Sequence, residues 1–271
     1  MSYEGLAWNP ASESDNRIHA DDVARQYGFR GGLVPGVTVH ALLAEPAVRS
    51  WGLDWLAQGS AELVLHKPLY DGDAFRVVSE GGGDDLRCAL YGPGEVCCAE
   101  SLLKRRSAVE QLPVLRGDRL APSRDERPRA TRSVLEELQA GGCGSLEVVW
   151  DGRGEQARYH ESLEDMPDLV RSDRAGWAHP GFSLCLANWV LSNNVVLGPW
   201  IHVESRVRHH AAIPMNTLTR SEARILDLFE RRGHEFVDLD VAVFDPEGRP
   251  LLSAFHRAIY RLREPDSAQA G

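Results

Sequence analysis

Apolar positions along the chain follow two rhythms that alternate twice. In LVPGVTVHALLAEPAV, Val37, Leu42, Leu43 and Val48 fall near one face of an amphipathic helix of roughly three turns. In AHPGFSLCLANWVL, Leu184, Ala187, Trp189, Val190 and Leu191 crowd a second helix almost all round, which predicts that protein wraps it. Each helix is opened by a Pro-Gly pair, Pro35-Gly36 and Pro180-Gly181, and is followed by segments that alternate with period two. After the first come AELVLHK, AFRVVSE, LRCALYG and VCCAESLLK; after the second come HVESRVRHH, TLTRSEARILDLFE, FVDLDVAVFD and LLSAFHRAIYRL. GPGE and DPEGR carry the turn chemistry that joins antiparallel neighbours.

The order of these pieces is a duplication. Asp73 answers Asn216 at nearly the offset that separates the two Pro-Gly pairs. The pattern predicts an α+β fold of two tandem repeats, each a long central helix wrapped by a curled antiparallel sheet. The expected boundaries are a first repeat over 1–106, a linker over 107–133, a second repeat over 134–263 and a disordered tail over 264–271. The linker SAVEQLPVLRGDRLAPSRDERPRATRS is rich in proline, arginine and aspartate and has little periodicity.

Composition narrows the function classes. A chain of 271 residues can bury a sizeable core, and its longest apolar runs are far too short to cross a bilayer. The start, MSYEGLAWNPASESD, has neither the basic nor the apolar region of a secretory signal, so a cytoplasmic location is expected. A net charge of −10 without a basic aromatic stripe disfavours nucleic acid. Lys104-Arg105-Arg106 and Arg206 with Arg208 are local candidates for a small anion, although short charge runs are more often solvated faces.

The five cysteines, Cys88, Cys97, Cys98, Cys143 and Cys185, lack CxxC or Cys/His zinc spacing and read as free thiols serving as small core hydrophobes. His209-His210 resembles a metal pair, but adjacent strand residues face opposite ways. No metal is expected. His179, ahead of the second helix, reads as a cap or packing residue, and Trp177, Trp189 and Trp200 as core that could also wall a ligand tunnel.

The candidate chemistry lies in DNRIHADDVARQYGFRGGLVPG, residues 15–36, where a histidine and a polar cluster precede the first helix. Histidine, with an ordinary pKa of about 6.5, suits proton transfer near neutrality. Helix-opening amides suit negative charge on an oxygen. Taken singly, Asn16 also reads as a helix N-cap and Asp22 as a first-turn acid, while Gly31 and Gly32 are turn residues and not a phosphate loop.

Asn16, Ile18, His19 and Ala24 fit the hydratase motif Asp-x-Asn-Pro-(Ile/Leu/Val)-His with a small residue five places on, so the segment resembles the MaoC-like (R)-specific enoyl-CoA hydratases. Arg17 stands at the proline and Ser14 at the aspartate of that motif. The resemblance implies a double hotdog fold and hydration or dehydration of an enoyl-type thioester on CoA or an acyl carrier, with no cofactor. It assigns His19 as general acid/base, Asn16 as the group holding water or substrate, and Gly32, Pro35, Gly36 and Val37 as the substrate-facing turn, with the amides at Gly36 and Val37 as oxyanion donors. It leaves the missing carboxylate open among Asp15, then Asp21 or Asp22, then Glu161 or Asp165. A hotdog acyl-CoA thioesterase and a non-catalytic acyl-thioester binder are the alternatives. Fused hotdogs imply a monomer or a homodimer.

Overall fold

A computed structural model describes residues 1–108, 111–152, 167–171 and 176–264. Among them, ten strands form one open antiparallel sheet: β1 (Ser2–Leu6), β2 (Ser60–Leu65), β3 (Ala74–Gly82), β4 (Asp85–Gly92), β5 (Val96–Lys104), β6 (Leu146–Val149), β7 (Ile201–His209), β8 (Leu218–Arg231), β9 (His234–Phe244) and β10 (Pro250–Arg261). Outward from the central β2–β7 pair the order is β2-β5-β4-β3-β1 on one side and β7-β10-β9-β8-β6 on the other. The second path repeats the first, so the duplication in the hydrophobic pattern is a duplication of topology. The halves are zipped along β2 and β7 from Ser60 opposite Arg208 to Val64 opposite Glu204.

The described helices are α1 (Asp21–Gln26), α2 (Gly36–Trp51), α3 (Leu53–Gln58), α4 (Arg132–Gly141) and α5 (Pro180–Asn194). The long ones, α2 and α5, pack against each other and against the sheet, and residues of both belong to one hydrophobic core. Every residue of α2 from Val37 to Val48 is buried, including His40 and Glu45. None of the described helices is long and apolar enough to cross a membrane.

Burial of α2 forces a solution at Pro46. A proline inside a helix has no N–H and crowds the carbonyl four residues back, here that of Leu42. A buried carbonyl without a donor costs free energy. Tyr3 of β1 supplies the donor, its hydroxyl reaching the Leu42 oxygen. The short polar edge strand, which the apolar pattern does not signal, thus completes the hydrogen bonding of the central helix.

Residues expected to be a linker are docked on the second half. The carboxylate of Glu222 on β8, fully buried, accepts from the amides of Arg116 at 2.8 Å, Gly117 at 2.9 Å and Asp118 at 2.9 Å. Leu120 bridges Ser145 and Arg129 bridges Val196. Of the expected tail only Glu264 lies among the described residues. Cys88, Cys98, Cys143 and Cys185 are buried as expected, whereas Cys97 is only half-buried. Arg105 is engaged by Asp54, and Arg206 lies over the Phe255 ring at 4.3 Å.

Tyr3→Phe should lower stability by about 1–3 kcal/mol, because it orphans a buried carbonyl. In a Pro46→Ala background the same change should cost much less, since residue 46 regains its own donor for Leu42. Denaturant unfolding of the four proteins measures the coupling, and equal costs in both backgrounds would refute this account.

Candidate active site

The segment ahead of α2 is held as a compact unit before it meets any ligand. Asn16 caps a short 3-10 turn over Arg17–His19, its Oδ1 accepting from the Ile18 amide at 3.4 Å. The His19 carbonyl accepts from Asn9 Nδ2 at 2.8 Å, and the Gly32 amide donates to Asp21 Oδ1 at 2.8 Å. At Gly32 an added Cβ would lie 2.0 Å from the His19 carbonyl oxygen, so only glycine lets the two backbones pass.

These contacts aim the imidazole. His19 Nδ1 lies 2.7 Å from the carbonyl oxygen of Leu33, which can only accept, so Nδ1 carries the proton and Nε2 keeps a lone pair. Asn16 Nδ2 donates to that Nε2 at 3.2 Å and to the Trp200 carbonyl at 3.0 Å, while Oδ1 accepts from the Trp200 amide at 3.1 Å. The orientation of the Asn16 amide is therefore dictated by backbone from the second repeat. Burial pulls the His19 pKa down to about 4, with the Leu33 bond opposing, so the ring is neutral at physiological pH.

Asn16 and His19 open on a cavity of about 260 Å³. Ile18, Phe29, Val39, Leu65, Trp200 and Ile259 make its walls largely apolar. Both repeats contribute, since Trp200 precedes β7, Ile259 lies on β10 and Asn188 comes from α5. Asn188 Oδ1 is buried without a hydrogen-bond partner among the described residues, an acceptor available to an occupant. Pro35 and Gly36 line the cavity at the start of α2. Among the described residues the Gly36 and Val37 amides have no acceptor, whereas those of Thr38 and Val39 bond the Pro35 carbonyl at 2.9 and 3.1 Å. None of the described cavity-lining residues is a carboxylate.

The structure places the other expected site residues as follows. Asp15 is turned outward, both oxygens 2.7 Å from the Arg124 guanidinium in a pair that is mostly exposed. Asp21 holds the Gly32 amide and Arg25, and Asp22 pairs with Arg17, so neither orients the imidazole. Glu161 and Asp165 lie outside the described residues. Gly32 and Val37 do not line the cavity: Gly32 shapes the loop under His19, and the Val37 side chain is in the core. At Gly36 a Cβ would stand 2.6 Å from both His202 Nδ1 and Leu65 Cδ1, so glycine lets α2 press onto the seam strands. His179 is the N-cap of α5, its Nδ1 accepting from Gly181 at 3.0 Å.

His202 lines the cavity and leads inward to a cluster that sequence reasoning missed. His202 Nε2 meets Ser205 Oγ at 2.7 Å, and that hydroxyl meets His256 Nδ1 at 2.8 Å. His40 of α2 is fully buried with neither ring nitrogen hydrogen-bonded among the described residues, and His209 is buried with it. Burial, above all, lowers the pKa of His40, His209 and His256 to about 3 each and drives that of His202 well down. Alternation along β7 puts His202 and His209 seven apart and places a bulge between them, a signal that strand parity alone misreads.

Comparison with known proteins bears on the fold. No protein-family model matches the chain, and no curated protein matches it in sequence. Solved structures match over nearly the whole chain. A conserved hypothetical protein from Mycobacterium tuberculosis with a double hotdog fold aligns with 96% of this chain and 95% of its own, at 12% identity and a TM-score of 0.61. A protein described as a MaoC-domain dehydratase from Chloroflexus aurantiacus covers 97% and 95%, at 11% identity and a TM-score of 0.57. The dehydratase domain of PpsC from M. tuberculosis, solved with C12:1-CoA, covers 96% and 93%, at 12% identity and a TM-score of 0.57. The fold is a double hotdog.

The buried histidines fix the sign of a pH effect. Their folded pKa values lie below the ordinary 6.5, so the unfolded chain binds more protons below that pH. Stability should be constant above about pH 6.5 and fall as pH drops towards 4, by up to about 1.4 kcal/mol per pH unit for each histidine. Denaturant unfolding between about pH 7 and about pH 5 reads the slope, and an unchanged stability over that interval would contradict neutral burial of these rings.

Proposed function

We propose that this protein is an acyl-thioester hydratase or dehydratase with His19 as general acid/base. The observation carrying this reading is a neutral imidazole whose Nδ1 proton is fixed by Leu33, so that Nε2, to which Asn16 donates, is the proton-accepting nitrogen of His19 beside a largely apolar cavity that also receives the uncapped start of α2. In the hydration direction, a water takes the place of Asn16 Nδ2 at Nε2 and gives that nitrogen its proton. The hydroxyl adds to the β-carbon of an enoyl thioester, and the displaced electron pair moves to the thioester oxygen, facing the first amides of α2. The imidazolium then returns its proton to the α-carbon. One water is added, and a single group both removes and delivers the proton, which answers the lack of a carboxylate among the described cavity-lining residues. The volume favours a short acyl chain, since typical ligand pockets begin at about 300 Å³.

That same lack favours one second reading, a thioesterase. There His19 would direct water at the carbonyl carbon and the thiol would leave, with the same amides facing the oxyanion.

Hydration is measured as loss of enoyl-thioester absorbance with a short trans-2-enoyl-CoA. His19→Ala should lower kcat/KM by about 10²–10⁴-fold. Release of free CoA thiol with the double bond intact would select the thioesterase. Saturable acyl-CoA binding without turnover would overturn both and leave a non-catalytic binder.

The rate should also carry the mark of the depressed pKa. A base that works unprotonated and titrates at about 4 gives a kcat/KM profile flat from about pH 8 to about pH 5.5, with its acid limb below. A limb centred near the ordinary histidine value of about 6.5 would refute a base with a depressed pKa.

A further inference from the structure

We infer that His66, Cys97 and Glu100 form a zinc-binding site at the rim of the cavity. The reading is independent of the acyl-thioester proposal, because it uses none of the groups assigned there.

The site is built by an irregularity in β5. Residues three apart on a regular strand face opposite ways, so Cys97 and Glu100 should not meet. On β5, however, Ala99 is opposite Leu90 while Cys97 is opposite Tyr91, leaving Cys98 as an extra residue in the ladder. This bulge resets the alternation. Cys98 and Ala99 are both buried in succession, and Cys97 and Glu100 are left on the outer side. The Cys98 carbonyl accepts from the amides of His66 at 2.8 Å and Lys67 at 3.1 Å, which pins His66, just beyond β2, beside the bulge.

The result is one nitrogen, one sulfur and one carboxylate oxygen, all within 4.8 Å of one another. His66 Nε2 and Glu100 Oε2 are 2.8 Å apart. Zinc arms of about 2.0–2.3 Å at tetrahedral angles need donors about 3.3–3.7 Å apart, so small side-chain rotations suffice. The donor set is one zinc takes readily, and three protein ligands leave a fourth position for water. Both His66 and Glu100 are exposed enough to admit an ion from solvent, with side chains 38% and 61% accessible. The thiol proton passes to solvent as the Zn–S bond forms. The other four cysteines are buried and have no such neighbours among the described residues.

Titration of the reduced full-length protein with Co²⁺ as a zinc surrogate, followed by Zn²⁺ displacement, tests this. We expect one equivalent to give a thiolate-to-cobalt charge-transfer band that Zn²⁺ abolishes. Cys97→Ala should remove the band and weaken Zn²⁺ binding by about 100-fold or more, at least the loss that removing an outer-sphere partner brings. His66→Ala and Glu100→Gln should each weaken binding while keeping the band. Unfolding of the metal-free variants confirms that each is folded. No band in the wild type, or a band and affinity that survive Cys97→Ala, would overturn the proposal.

Discussion

The site depends on one exchange of hydrogen bonds between the repeats. Asn16 accepts from the Trp200 amide and donates to the Trp200 carbonyl, and with the same nitrogen it donates to His19. A side-chain amide held by both backbone groups of one residue cannot flip without losing both bonds. The loop bearing His19 is therefore indexed to the second repeat, and the imidazole inherits that index. Leu33 completes the constraint by accepting from Nδ1–H, which makes Nε2, where Asn16 donates, the ring's proton-accepting nitrogen.

Close packing of α2 supports this arrangement and limits it. Glycine at position 36 allows the helix to sit against His202 of β7 and Leu65 of β2, the two strands that join the repeats. The helix start, the cavity and the inter-repeat seam thus coincide. Polar groups carried inward by such packing must be answered, as Tyr3 answers Leu42 and Glu222 answers three consecutive amides. Where they are not fully answered, as at His40, the ring stays neutral, and acid should cost stability.

Much of the architecture was legible in the sequence because periodicity is a local property. Two apolar helices behind Pro-Gly pairs and eight alternating segments lie where α2, α5 and the eight longest strands stand. The short edge strands β1 and β6 escaped, since SYEGL and LEVV are too brief and too polar to show a period. The linker looked unstructured because its order comes from a buried glutamate about a hundred positions away in β8.

The candidate chemistry divides along the same line. The sequence by itself determined the residue types near the start of α2 and the duplication that supplies two helices and two half-sheets, because motif and period are written in neighbouring positions. Only the tertiary structure decided that Asp15 faces Arg124 instead of His19, that Gly32 and Gly36 serve backbone and helix packing, and that Trp200, Asn188 and His202 join the cavity. It also decided that a bulge brings Cys97 and Glu100 to one side. Each of these depends on distances between residues far apart in the chain or on a break in strand phase, and neither quantity is carried by local composition or spacing.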